Sequence, residues 1–346
     1  MTRPAAVIVL AAGQGTRMRS DLPKVVHPVA GLSMIGHALR AGAGLNPGRL
    51  VAVVRHQRDL VAAEISRVAP DALIADQDEI PGTGRAVLCG LTALDAAEGP
   101  VHGTLLVTYG DVPMLSTGTL AALVDAHESQ GNAVTVLTSR VDDPTGYGRI
   151  IRDATGVVTA IVEQRDATAE QAAITEINAG IYAFDADFLR DALASVGSDN
   201  DQGEVYLTDV LAAAAPVGRS AGALELADAW QCQGCNDRAQ LAELGAELNR
   251  RICLAHMRAG VTIVDPSSTW IDVDVVIGAD TTILPGTCLR GTTTIGSGCE
   301  IGPAATLKAA QVGDRATIPT AWVEDAVVPT DTMVPPFSVI GGADRS

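Results

Sequence analysis

Apolar residues along the chain recur in three rhythms, and each predicts a different kind of element. Residues 5–10 (AAVIVL) form an unbroken apolar run of strand length, as expected for a parallel strand buried on both faces. Residues 50–54, 73–75 and 104–108 repeat that character, while 34–41 and 60–68 between them carry helical spacing. Strands alternating with helices predict a mostly parallel sheet with helices on both faces, a Rossmann-like α/β domain. Past about residue 130 the pattern turns richer in strands, at 133–137, 157–162 and 180–184, and an insert over the site is expected there.

The second rhythm covers 237–257, where Leu241, Leu244, Leu248 and Ile252 fall three and four apart before a stop at Gly260, predicting one long helix. The third begins at Ile271. Ile271, Ile277, Ile283, Leu289, Ile295, Ile301 and Leu307 keep an unbroken period of six. Hexapeptide repeats build a parallel β-helix in which each aliphatic side chain points inward and stacks on the coil below. Val312 and Ile318 continue the pattern after a one-residue slip. The register is expected to decay beyond them, with the Pro-rich stretch 334–337 as a terminal cap. The reading gives a domain at 1–238, a helical arm at 239–261 and a short β-helix at 262–346. A solenoid this short exposes an open end, so self-association is expected.

Composition adds bounds. With 346 residues, 47% of them apolar, the chain is long enough for two cores. Its 41 carboxylates against 24 Lys and Arg give a formal charge of −17, which argues against nucleic acid or an anionic membrane as partner. An anionic substrate would therefore need a local basic site, a metal ion, or both. No apolar run reaches the length of a membrane span. The six cysteines are dispersed, and the lone Cys232-Gln233-Gly234-Cys235 reads as two small buried residues, as suits a reducing cytoplasm.

Candidate chemistry gathers where predicted strands end. The first strand runs into Leu10-Ala11-Ala12-Gly13-Gln14-Gly15-Thr16-Arg17-Met18, followed shortly by Lys24. Gly13 and Gly15 permit close backbone approach and positive φ, so N–H groups can face an anion, and Arg17 and Lys24 add charge at the mouth. The loop lacks the third glycine of a dinucleotide fingerprint and the Gly-Lys-Ser/Thr of a Walker A loop. Asp111, after the 104–108 strand, suits Mg²⁺, which takes few protein ligands and keeps sites for water and phosphate oxygens. Gln77 with Gly82-Thr83-Gly84 forms a second glycine-rich turn able to read a base edge.

Together these motifs resemble the bacterial bifunctional N-acetylglucosamine-1-phosphate uridylyltransferase/glucosamine-1-phosphate acetyltransferase family. Further matches are Gly146-Tyr147-Gly148-Arg149-Ile150, Ile161-Val162-Glu163, Asn178-Ala179-Gly180, 202–209 (QGEVYLTD) and Gly234-Cys235-Asn236. The resemblance implies a left-handed β-helix and a homotrimer. It implies Mg²⁺ held by Asp111 and Asn236, and UTP phosphates bound by Arg17 and Lys24. The nucleotide site would comprise Leu10, Ala11, Ala12, Gly13, Gln77, Gly82, Thr83 and Tyr109. Thr83, Gly148, Glu163, Asn178, Tyr206 and Thr208 would line the N-acetylglucosamine-1-phosphate pocket. The implied reaction is direct in-line displacement at the α-phosphorus of UTP, releasing pyrophosphate. Since the nucleophile is already a phosphate anion, no general base is required.

The sequence departs from the family at two points. Arg85 stands where the family's Gly-Thr-Gly-His has histidine. After His256 no His, Tyr or Asn occurs and Lys308 is the only lysine, so the acetyl transfer that the family runs with a histidine is expected to be absent. Two other readings stay open from sequence: a related nucleotidyltransferase with another sugar-1-phosphate or NTP, and a non-catalytic sugar-nucleotide-binding scaffold.

Overall fold

The computed structural model describes residues 3–195 and 204–342. Two compact units emerge, Met1–His27 with Ser33–Arg238, and Pro28–Leu32 with Ala239–Ser346. The first runs in chain order β1 (Ala6–Ala11), α1 (Met34–Ala43), β2 (Arg49–Val54), α2 (Arg58–Val68), β3 (Leu73–Asp76), α3 (Thr83–Glu98), β4 (Thr104–Tyr109) and α4 (Thr117–Gln130). It continues with β5 (Val134–Arg140), β6 (Arg149–Arg152), β7 (Val158–Val162), α5 (Ala169–Ala172), β8 (Glu176–Asp185), α6 (Ala186–Ser195) and β9 (Ala221–Leu226).

The main sheet has the order β9-β5-β8-β4-β1-β2-β3, and β1 lies between β4 and β2, parallel to both. Its alternate residues enter opposite cores. Ala6, Ile8 and Leu10 join Val51, Val53 and Leu105 on one face, while Val7, Val9 and Ala11 join Ala52, Val54 and Leu106 on the other. With both faces covered, no position of β1 can carry a polar side chain, hence the unbroken apolar run. Each large aliphatic side chain buried this way contributes about 1.5–3 kcal/mol relative to exposure. The parallel strands β1 to β4 all end on one edge, which fixes where their following loops gather.

The expected insert is corrected by the pairing. β5 and β8 are interior strands of the main sheet, β8 antiparallel to both β4 and β5, and β9 parallel to β5. Only the β6–β7 hairpin lies off this strand path, a branch of the same nine-stranded sheet joined to β8 through the pairing of Arg149 with Ile177. Apolar runs announce strands but not their partners, so pairing order was not in the pattern.

The second unit contains α7 (Arg238–Arg258) and a parallel β-helix with three strand faces. Ile271, Ile277, Ile283, Leu289, Ile295, Ile301 and Leu307 are all buried. Ile271 pairs with Leu289 and Leu289 with Leu307, eighteen residues apart each time. The register does not decay after Ile318. Val323, Val328 and Val334 are buried in turn, with Leu307 pairing Val323 and Val312 pairing Val328 at sixteen residues. Spacings of five replace some spacings of six, so a search at fixed period loses coils that are present. Nor is 334–337 a cap. Val334 donates its N–H to Thr317 O, and Val339–Gly341 beyond it pairs with Trp322–Glu324.

Along α7 the buried positions are Leu244, Asn249 and Cys253, so the leucine spacing located the helix but not its whole inner face. The Asn249 carboxamide donates to Thr269 O at 2.8 Å and accepts from Ile271 N at 2.9 Å, closing two backbone groups that the first strands leave open. Asn249→Leu strands both groups, and we expect this unit to lose about 2–4 kcal/mol. Chemical denaturation of the variant would check it, and an unshifted midpoint would remove the role.

Candidate active site

Four loops leave the carboxyl edge of the parallel strands, after β1, β2, β3 and β4, and border one cleft, while a second, neighbouring cleft is walled mainly by 146–148, 163–165, β8 and 204–208. The smaller, about 370 Å³, is lined by Leu10, Ala11, Ala12, Gly13, Lys24, Gln77, Gly82, Thr83, Tyr109 and Asp111 among others. The larger, about 810 Å³, is lined by Thr83, Tyr109, Gly148, Glu163, Asn178, Tyr206 and Thr208 among others. Thr83, Tyr109 and Glu204 belong to both linings and form the shared wall. Every residue expected at the nucleotide except Arg17 falls on the first cleft, and every residue expected at the sugar phosphate on the second. Gln202 and Gly203 lie outside the described residues.

Local sequence builds these walls. Gly15 sits at φ +64, and a side chain there would meet Lys24 Cβ at 2.5 Å, so the loop can fold onto Lys24 only with glycine. Gly13 does not need its freedom for φ, and no atom lies within 4 Å of where its Cβ would stand. Gly82 adopts φ +118 beside the Val205 carbonyl, and a Cβ would approach that oxygen to 2.4 Å. Gly84 N then donates to Val205 O at 2.8 Å, tying the turn to the 204–208 segment. Gln77 Nε2 donates to Ile80 O at 3.0 Å and Gly82 O at 3.2 Å, so the side chain also holds the turn's shape. Arg85 does not line either cleft. Its guanidinium grips Asp78, with Nε 2.9 Å from Oδ2, and braces the same turn from outside.

At the base of the first cleft lies an ion pair. Lys24 Nζ is 2.5 Å from Asp111 Oδ2 and 3.3 Å from Asn236 Oδ1, with both charged side chains largely buried. Cys235 N donates to Asp111 O at 3.0 Å, which brings the 234–236 turn beside the end of β4. A cation is therefore already held by the two oxygens expected to ligate metal. Among the described residues no group of three or more His, Cys, Asp or Glu could hold a metal. A site of one carboxylate and one amide suits a hard ion that takes its other ligands from water and phosphate. Arg17 and Lys24 part company. Lys24 lines the smaller cleft, whereas Arg17 is exposed and lines the larger.

Burial shapes the electrostatics of the second cleft. Desolvation pushes the Glu163 carboxyl above its usual range, and the charges of Asp166 and Asp209 push the same way against a hydrogen bond from Thr208. Burial likewise raises the Tyr109 hydroxyl, assisted by the Glu163 and Asp111 charges, so it stays a neutral donor. Burial pushes the Cys232 thiol up to about 12 and the Cys235 thiol to about 11, which keeps the CxxC pair un-ionised. Among the lining residues that the sequence reading does not name are Arg55 and His56, which follow the carboxyl end of β2. The rule that ligands bind beyond strand ends would have found them.

Residues 7–180 match the MobA-like NTP transferase domain, and residues 274–309 the bacterial transferase hexapeptide family of six repeats. The chain is 54% identical over 339 residues to the bifunctional protein GlmU of Pseudarthrobacter chlorophenolicus, covering 98% of this chain and 69% of that one. Against GlmU of Kineococcus radiotolerans it is 55% identical over 342 residues, covering 99% and 69%. Against GlmU of Corynebacterium glutamicum it is 53% identical over 340 residues, covering 97% and 69%. The chain belongs to the GlmU family. It is a nucleotidyltransferase with the N-acetylglucosamine-1-phosphate uridylyltransferase activity, built on a mixed α/β domain and a left-handed hexapeptide β-helix.

The Glu163 shift gives a direct check. Its carboxyl should titrate above 4.5 in a carbon-detected NMR series, and Asp209→Asn should move the midpoint down by removing one like charge. A midpoint at or below 4.5 in the unmodified protein would contradict this electrostatic picture.

Proposed function

We propose that the smaller cleft holds UTP, the larger holds N-acetylglucosamine-1-phosphate, and the transfer is a single in-line displacement dependent on Mg²⁺. The observation that carries this reading is the Lys24 ammonium seated between Asp111 and Asn236, a stand-in cation at the base of the smaller cleft. Asp111 and Asn236 would hold the metal. When bound, the ion supplies charge neutralisation for the phosphates and the leaving pyrophosphate. Lys24, freed from Asp111, turns its charge to the triphosphate. Arg17 approaches the phosphates from the sugar side, as its position on the larger cleft supports. Backbone N–H groups of 11–13 and the amide of Gln77 orient the nucleotide. Glu163, Asn178 and Thr208 hold the sugar so that its phosphate oxygen faces the α-phosphorus. That oxygen is anionic already, so the protein's task is positioning and charge, with no proton to remove.

In this reading residues 1–238 are the transferase domain and 262–346 serve homotrimer assembly. Exposed Trp270, Trp322 and Val339 on one strand face and Val276 and Val327 on another support the second assignment. The relatives are called bifunctional, and we assign one of two activities to these residues. No His, Tyr or Asn follows His256, and Lys308, the one lysine there, is engaged by Glu324 at 2.7 Å. These residues therefore offer no imidazole to take a proton from an amine.

Pyrophosphate release measured over four NTPs and several sugar-1-phosphates tests the substrate assignment, with UTP and N-acetylglucosamine-1-phosphate expected to stand out. Asp111→Ala should cut Mg²⁺-dependent turnover at least about a thousandfold while the circular dichroism stays unchanged. Near-normal turnover would refute the metal assignment. Incubated with acetyl-CoA and glucosamine-1-phosphate, the protein should release no coenzyme A thiol, and steady release would refute the single-activity reading.

A further inference from the structure

Among the described residues Arg149 is the largest fully buried side chain, at 1% exposure, yet it forms no ion pair with any of them. Burying an unpaired guanidinium is costly unless its donors are met, so its retention points to what it holds. Its donors reach carbonyl and amide oxygens from three segments. One terminal nitrogen donates to Tyr147 O, the other to Gln164 Oε1 at 2.6 Å, and the latter with Nε shares Ala172 O at 3.3 Å. Gln164 Oε1 also accepts from Gly146 N at 3.1 Å. One guanidinium and one carboxamide thus lock the 146–148 turn to the 163–164 corner. Gly148 is held where a Cβ would stand 3.5 Å from both Glu163 Oε1 and Asn178 Cβ.

We propose that Arg149 is a positioning residue of the uridylyl transfer, a fork that sets the gap between Gly148 and Glu163 and so fits the larger cleft to its sugar. The inference rests on reading that cleft as the sugar-phosphate site. Geometry rather than charge is what the fork supplies, because a planar guanidinium reaches three acceptors at fixed angles and an ammonium does not. Gln164 completes the lock and lies part-exposed, and when it is changed the guanidinium keeps the Tyr147 and Ala172 carbonyls as acceptors.

The test is steady-state kinetics on the full chain with UTP and N-acetylglucosamine-1-phosphate varied in turn. Arg149→Met and Arg149→Lys should each raise KM for the sugar phosphate roughly tenfold or more, with KM for UTP unchanged within about twofold. Gln164→Leu should act in the same direction, and combined with Arg149→Met should add little, as expected of two parts of one lock. Should Arg149→Met fail to fold, Gln164→Leu and Arg149→Lys carry the test. Unaltered KM for the sugar phosphate, full rescue by lysine, or a parallel loss in both KM values would overturn the proposal. Glu163→Ala serves as reference. If it raises KM for the sugar phosphate while the Arg149 and Gln164 variants do not, the fork alone is wrong. If it also leaves that KM unchanged, the reading of the cleft falls, and the proposal with it.

Discussion

A strongly acidic protein that handles two phosphorylated substrates needs positive charge placed at them, and in the proposed assignment the contact of Lys24 with Asp111 and Asn236 holds that charge ready. Three separate segments meet there: the turn after the glycine loop, the end of β4, and the 234–236 turn. Each is fixed by something simpler. Gly15 lets the loop close on Lys24, β4 places Asp111 at the carboxyl edge of the sheet, and Cys235 N holds its turn to the Asp111 carbonyl. The rest of the first unit can be understood as a frame that brings those ends together. A two-sided apolar sheet is a suitable frame because it leaves its strand ends as the one edge free for polar chemistry.

Much of this is legible in the amino-acid sequence. Continuous apolar runs located β1 to β4, since a strand covered on both faces has no other option. The six-residue period located the coils up to Leu307. The glycine loop, Asp111 and the Gln77–Gly84 turn stood at strand ends, where ligands of such sheets bind, and the family motifs divided the remaining residues between two substrates. Apart from Arg17, the structure sets those two groups of residues along two clefts with one shared wall.

What escaped had physical reasons. Pairing order is a long-range property, so β5 and β8 looked like an insert rather than interior strands of the sheet. Five-residue edges in the β-helix keep the inward aliphatic but break the period, so Val323, Val328 and Val334 went unseen. Asn249 and Arg149 are polar residues that bury because they satisfy particular backbone groups, and nothing in a hydropathy pattern marks them. The separation of Arg17 from Lys24 follows from the path of a short loop, and seven positions of sequence do not reveal which side of a wall each end faces.

The wall itself has a consequence for how such an enzyme can change. Thr83 and Tyr109 face both clefts, so in the proposed assignment no substitution there alters the reception of one substrate alone. Independent drift is confined to the outer margins, Gln77 and its turn for the base, Glu163 and Asn178 for the sugar. A lineage of such enzymes can therefore exchange sugars while keeping its nucleotide, or the reverse, so long as the partition between them is left untouched.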